Sequence, residues 1–364
     1  MIQSKRFYIA GCVAIVFLTL LLLLARTFLP SEPRPGAIRP VRWSTHQSLS
    51  EHEDSGRKIW MNTGWSQYAY VQYVTNLPYL CNSVMIFESL HRLGCKPDRL
   101  MMFPSGYSLE DDSTEARLLR KARDEYRVIL KPIEVQRRTS QDPTWAESYT
   151  KLLAFNQTQY KRVLHLDSDS TVLQSMDELF LIEPAWIAMP RAYWLGFEGR
   201  VLSSQLLLLQ PSEYEFDRVM KATADAGYND YDMDILNKLY QDSAMILPHK
   251  NYDLLTGEFR GDDHQKYLQD NEQGWDPDLV LKEAKYMHFS DWPLPKPWLA
   301  KPKAVDRSKP HCSPISSVNK TENCRNQEIW VGAYTDFRRR RKNICDLDGD
   351  DDEGNIEPIT SKRF

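Results

Sequence analysis

The sequence predicts an α/β protein built on a mostly parallel sheet. Two patterns carry that prediction. Short apolar segments alternate with longer stretches of helical apolar period through the first half of the chain. One of those segments, Val163-Leu164-His165-Leu166, ends in Asp167-Ser168-Asp169, as does a buried strand that delivers polar groups to a ligand at its carboxyl end.

The elements follow in order. Residues 65–74 are aromatic and β-branched and read as an extended segment ending at Thr75-Asn76. Residues 80–93 place Leu80, Val84, Phe87, Leu90 and Leu93 on one helical face, and Gly94 stands where a helix C-cap belongs. Residues 100–103 form a short strand, 110–126 a charged amphipathic helix, and 128–133 another strand. Residues 145–159 read as a helix, 162–166 and 202–209 as buried strands, and 235–240 as part of a helix. The alternation implies parallel strands joined by helical crossovers.

Composition excludes several classes. With 364 residues, 42% hydrophobic and 26% charged, the chain is too apolar to be disordered. A net charge of −4 gives no reason to expect nucleic acid as a partner. Six cysteines are too few for a disulfide-built miniature fold.

Residues 7–25 carry no charge, and extension to Leu29 reaches the ~30 Å of a hydrocarbon core. The segment reads as an uncleaved signal anchor; the competing reading is a cleaved signal peptide. Against the latter, the run exceeds the usual ~7–15-residue apolar region, and no small-x-small site follows Leu24. Basic residues flank both sides, so the large domain behind a signal-like segment is the better argument for a lumenal C-terminus. The expected organisation is a cytosolic tail (1–6), an anchor (7–29), a Pro- and Arg-rich stem (30–57), a catalytic domain (58–335) and a charged disordered tail (336–364). The basic run 338–342 reads as solvated. The acidic run 346–353 has EF-hand-like spacing but its Gly at the wrong offset, and reads as disordered. Sequons at Asn156 and Asn319 suit lumenal glycosylation. Cys12 lies in the anchor. Of the other five cysteines, Cys312 and Cys324 are the expected pair, Cys81 and Cys95 sit at opposite ends of a helix, and one leftover thiol would permit a covalent homodimer.

Three residues carry the strongest chemical signal. Asp167 and Asp169, at i and i+2 of a strand end, point the same way and can reach one cation. Paired hard oxygens favour Mg²⁺ or Mn²⁺, and an added imidazole favours Mn²⁺. His288 supplies that imidazole from Tyr286-Met287-His288-Phe289, ahead of a Pro-rich loop bearing Lys296 between two prolines. A pinned lysine suits a diphosphate. The plain structural alternatives are a polar strand end and a satisfied core histidine. Arg191 and Tyr193 are candidates for sugar contact or rim packing, and Asp262-Asp263-His264 reads as a solvated loop rather than a second metal site.

These motifs resemble the glycogenin-like glycosyltransferases of family eight, over roughly residues 70–298. The resemblance implies a GT-A fold: a Rossmann-like, mostly parallel sheet with helices on both faces, forming a single domain. It also implies transfer from a UDP-sugar with retention of configuration. Tyr73-Val74-Thr75-Asn76-Leu77-Pro78-Tyr79 matches the nucleotide-binding turn, with Thr75, Asn76 and Tyr79 at the uridine. Thr150-Lys151-Leu152 places Lys151 near the sugar nucleotide, and Asp167-Ser168-Asp169 joins the donor site. Asp167, Asp169 and His288 match the Mn²⁺ ligands, and Lys296 the diphosphate lysine. Asp232-Met233-Asp234-Ile235-Leu236-Asn237 matches the helix start near donor sugar and acceptor, which makes Asp232 and Asp234 catalytic candidates. The His288–Lys296 loop is two residues longer than the family motif and lacks its Gly, and Met233 stands where some members carry Gln. Such departures look like the fungal N-acetylglucosaminyltransferase branch, which resembles Golgi enzymes acting on mannose-containing glycans. UDP-glucose or UDP-galactose as donor, and an inactive lumenal glycan-binding scaffold, are the rival readings.

Overall fold

The computed structural model describes residues 63–137, 147–196, 199–228, 230–269, 274–316 and 321–347. The expected anchor and stem, the Asn319 sequon and residues 348–353 of the acidic run lie outside that set. Among the described residues no helix is long and apolar enough to cross a membrane.

Four strands, β1 (Tyr68–Tyr73), β2 (Asp98–Pro104), β3 (Val128–Ile133) and β4 (Arg162–Leu166), run parallel in the order β3-β2-β1-β4. Three residues past β4 comes β5 (Ser170–Val172), which leaves for a second sheet. The large sheet continues beyond β4 with β7 (Leu206–Leu209), antiparallel, and then β6 (Ile187–Pro190) and β8 (Met245–Leu247). The expected α/β class with a mostly parallel sheet is therefore what the chain adopts. Alternation along the central strands sorts side chains to two cores. Tyr70, Leu164, Leu166, Leu206 and Leu208 enter one; Ala69, Val71, Val163, Leu207 and Leu209 enter the other. Both faces are covered, so β4 and β7 are buried at every position rather than alternating between core and solvent.

Helix α1 (Leu77–Arg92) packs on the first core. It starts where Asn76 accepts the Tyr79 N–H at 3.3 Å, with Pro78 in the first turn, and it ends at Gly94, whose φ of +69° belongs to the left-handed region. Helix α2 (Thr114–Tyr126) also adds to this core. It begins four residues later than its charge pattern implies, because Ser113 caps it with a 3.1 Å bond from the Ala116 N–H. Helices α3 (Glu213–Ala224) and α4 (Asp232–Tyr240) pack on the second core.

Strand β1 has β2 on one side and β4 on the other. The strand order thus reverses between β1 and β4, and open α/β sheets bind ligands at the carboxyl ends of such a pair.

The structure corrects four expectations. Residues 148–156 form 3₁₀ turns (Ser148–Asn156) rather than an α-helix, with Ser148, Tyr149, Thr150, Lys151, Leu152, Ala154 and Phe155 all buried. Only Leu206–Leu209 of the expected 202–209 strand pairs as one, while Leu202 makes an isolated bridge to Arg191. The basic run is not a solvated tail. Helix α5 (Arg325–Arg340) and the turn Arg341–Cys345 belong to the domain. There Trp330, Tyr334 and Phe337 enter the first core, and buried Arg341 donates to Asn82 Oδ1 at 2.8 Å and to the Pro78 carbonyl at 3.1 Å. Finally, Cys81 bonds Cys345 across 264 residues, alongside the expected Cys312–Cys324 bridge. The leftover thiol, Cys95, is buried and pushed up to about 11 by that burial, which removes the covalent route to a homodimer through it.

Candidate metal and donor site

Two elements bring the acidic strand end and His288 together. Strand β10 (Tyr286–His288) pairs antiparallel with β5, His288 opposite Ser170, and parallel with β9 (Leu254–Leu255). That register sets His288 beside Asp169. The Tyr286 hydroxyl bonds the carbonyls of Asp167 and Gln205, each at 3.1 Å, and the Phe289 N–H bonds the Asp169 carbonyl at 2.9 Å. The Gln72 amide of β1 holds the Leu166 carbonyl at 2.6 Å, which fixes the end of β4.

Asp169 lies 3.0 Å from His288 Nε2 and 2.7 Å from Lys296 Nζ. Lys296 also donates to the Phe289 carbonyl at 2.6 Å, so the lengthened loop still delivers its ammonium to the cluster. Burial opposes ionisation of Asp169, but His288 and Lys296 outweigh it and hold the carboxyl well below its usual range. Ligand atoms of Asp167, Asp169 and His288 lie within 4.8 Å of one another. That spread is roughly twice a metal–oxygen bond of ~2.1 Å, and two carboxylates with one imidazole suit a divalent ion of the Mn²⁺ type. Buried His288 Nδ1 has no hydrogen-bond partner among the described residues, and burial lowers the ring's affinity for protons, so a neutral imidazole is available as a ligand.

Lys151, placed near the sugar nucleotide by the resemblance, sits against Asp167 and Asp232. It is buried beneath the cluster, 2.9 Å from Asp167 and 2.8 Å from Asp232, with a 3.2 Å bond to the Ser204 carbonyl. Burial works against its charge, yet the two carboxylates hold it above the ordinary lysine range. The partners differ. Burial raises Asp167, with smaller help from the repulsion of Asp169 and Asp232, against the attraction of Lys151. Asp232 falls below its usual value despite burial, because Lys151 is joined by the Ser204 hydroxyl at 2.7 Å.

The remaining candidates divide. Thr75 is buried at the end of β1, and Ser168 is buried between the two acids. Asn76 spends its amide oxygen on the cap of α1. Tyr79 packs edge-on against Trp298, with ring centroids 5.4 Å apart. Asp234 is exposed and accepts the Tyr231 N–H at 2.9 Å, closing the first turn of α4, while its neighbour Asp232 faces Lys151. Tyr193 is buried and stacked on His249; His264, expected in a solvated loop, is instead buried and stacked on Trp275, while Asp262 and Asp263 are exposed.

Sequence reasoning missed three groups. Tyr73, partly buried, ends β1 near the acids; desolvation of its hydroxyl first, and then Asp167, Asp232 and Asp169, raise it well above the usual tyrosine range. Its place two residues before Thr75 was the signal available. Asp291 accepts from Trp330 Nε1 and the Tyr334 hydroxyl, each at 2.8 Å, and from Thr256, binding the His288–Lys296 loop to α5. Gly257 makes the same seam possible, since a Cβ there would meet the Ser290 carbonyl at 2.7 Å. Asp253 is fully buried, and neither carboxylate oxygen has a hydrogen-bond partner among the described residues. No local pattern marks Asp291 or Asp253.

Burial pushes Asp253 up to about 8, with Ser203 and Lys151 opposing and Asp167 assisting. The folded acid therefore keeps its proton while the unfolded one ionises near ~3.9. Between about pH 4 and 8 the folded state binds more protons, so this group lowers stability as pH rises through that window. Asp253→Asn is expected to melt higher than wild type at pH 8 and to lose that advantage toward pH 5. Parallel Tm–pH curves for the two proteins would exclude Asp253 as the source.

Comparison with known proteins decides the family. No protein-family model matches the chain. It is 54% identical over 293 residues to glucose N-acetyltransferase 1 of Gibberella zeae, covering 78% of this chain and 64% of that protein. It is 45% identical over 298 residues to glucose N-acetyltransferase 1 of Aspergillus fumigatus, covering 77% of each. The chain belongs to the glucose N-acetyltransferase 1 family. Both relatives are fungal, the branch to which the motifs pointed. Among solved structures, the galactosyltransferase LgtC with donor and acceptor sugar analogs aligns at a TM-score of 0.47 and 13% identity, over 66% of this chain and 93% of that one.

Proposed function

We propose that this family member is a hexosyltransferase of GT-A type that moves N-acetylglucosamine from UDP-N-acetylglucosamine to a mannose-containing glycan, with retention of configuration. The convergence of Asp167, Asp169, His288 and Lys296 at the switch point of the sheet carries the reading. The relatives' names support the sugar, and the span that each protein shares with this chain includes the site's strand.

Asp167, Asp169 and His288 would hold a divalent cation, preferably Mn²⁺, which when bound supplies charge stabilisation to a leaving diphosphate. Lys296 sits where its ammonium can pass from Asp169 to a phosphate oxygen, adding a preorganised positive charge as the sugar–phosphate bond breaks. Lys151 holds Asp167 and Asp232 in fixed positions from below, and Asp232 then borders the sugar. Thr75 and Tyr79 bracket the start of α1 as the nucleoside end of the site. Asn319 and residues 1–57 supply the rest of the proposal: a lumenal, glycosylated domain on a single-pass Golgi anchor of type II. Two disulfides support an oxidising compartment.

The test is UDP release by the full-length protein from a panel of UDP-sugars, with Mn²⁺ and with EDTA. Metal-dependent release from UDP-N-acetylglucosamine, raised by mannosides, is the expected result. Release of coenzyme A from acetyl-CoA in place of UDP would overturn it in favour of acetyl transfer.

A further inference from the structure

We propose that Trp292 is the platform on which the acceptor saccharide stacks, an assignment that rests on the transferase reading above. Trp292 is 86% exposed, the highest value among the exposed large hydrophobic residues described. An indole so fully in water contributes nothing to the core. Yet the loop that bears it is fastened on both sides. Before it, Asp291 is buried and held by Trp330, Tyr334 and Thr256. After it, the Leu294 N–H closes a turn on the Asp291 carbonyl at 2.9 Å, Lys296 reaches Asp169 at 2.7 Å, and Trp298 is buried against Tyr79 and Phe337. Pro293, Pro295 and Pro297 stiffen the segment between. The indole is thus presented, not left over from a mobile turn, so little ordering entropy opposes binding.

Position gives the ligand. Trp292 stands four residues from His288 and four from Lys296, and both of those side chains touch Asp169. Four residues span at most ~14 Å, so the ring lies within a few sugar units of the cluster. The diphosphate and nucleoside ends of the donor are matched by groups inside the site. What enters from solvent is the acceptor, and a pyranose offers a face of C–H groups that stacks on an indole while its hydroxyls stay hydrated. Trp combines a large apolar surface with two side-chain torsions, which suits that contact.

The experiment is steady-state kinetics of wild type, Trp292→Ala and Trp292→Tyr, with α-linked mannobiose varied at saturating UDP-N-acetylglucosamine and the reverse. Trp292→Ala is expected to raise the acceptor KM about tenfold and to move the donor KM less than about twofold, with Trp292→Tyr recovering most of the loss. Its Tm should stay within about 2 °C of wild type, as an exposed side chain requires. An unmoved acceptor KM, or equal rises in both KM values, overturns the platform alone. A wild type without turnover of any UDP-sugar overturns the transferase reading and the platform with it.

Discussion

On the proposed function, Asp169→Asn is expected to lower metal-dependent UDP release by about a thousandfold, the loss expected when a charge aimed at the leaving group is removed. The amide keeps the shape of the side chain but cannot serve His288, Lys296 and a cation as the carboxylate does. Asp167→Asn has an effect of the same order, yet the two variants part in stability. Asp169 is held well below its usual range by His288 and Lys296, so its ionised form stabilises the metal-free fold above about pH 4, and that contribution disappears as pH falls through the depressed folded value. Asp167 is raised by burial and by its acidic neighbours, so its charge is a burden on the metal-free fold that grows as pH rises. With EDTA at pH 8, Asp169→Asn should therefore melt below wild type and Asp167→Asn at or above it. Differential scanning fluorimetry beside the UDP assay reads both. Equal melting of the two variants, or turnover within tenfold of wild type, would refute this account of the cluster.

The second large effect concerns stability. Cys81 and Cys345 close a loop across 264 residues, and the chain-entropy relation gives about 5.6 kcal/mol for a loop of that length. The bond joins α1, whose first turn begins the nucleoside end of the site, to the close of the C-terminal helix that supports Trp298 and the Lys296 loop. Buried Arg341 on Asn82, and Arg340 on the Met85 carbonyl and Ser89, hold the same seam without the bond. The double variant Cys81→Ser, Cys345→Ser is expected to lose roughly 10 °C in Tm, and a strong reductant should bring wild type to that value or lower, since it opens Cys312–Cys324 as well. A shift under about 2 °C would mean that the arginine seam alone fixes the helix. Removal of residues 336–364 should cost more than the double variant, since Phe337 and Arg341 leave with it.

How much of this was legible in the chain depends on the range of each interaction. Strands β1 to β4, α1, α2 and the cap at Gly94 were readable because period, caps and turns are local. Asp167, Asp169, His288 and Lys296 were readable as well, because a strand end and a Pro-rich loop mark polar groups that the core does not need. The basic run 338–342 misled, since charge predicts solvent unless another element supplies acceptors. Here α1 supplies them, from more than 250 positions away.

The sequence by itself determined the sheet class, the acidic strand end and the residue types able to bind a divalent cation with a diphosphate. These follow from side-chain spacing within a few residues and from ligand chemistry. Tertiary structure alone decided that Lys151 holds two acids from below, that Asp234 caps a helix while Asp232 faces the site, and that Asp291 anchors the loop presenting Trp292. Those roles depend on which groups meet after strands far apart in sequence pair. Burial then sets their charge, and burial belongs to the fold rather than to any segment.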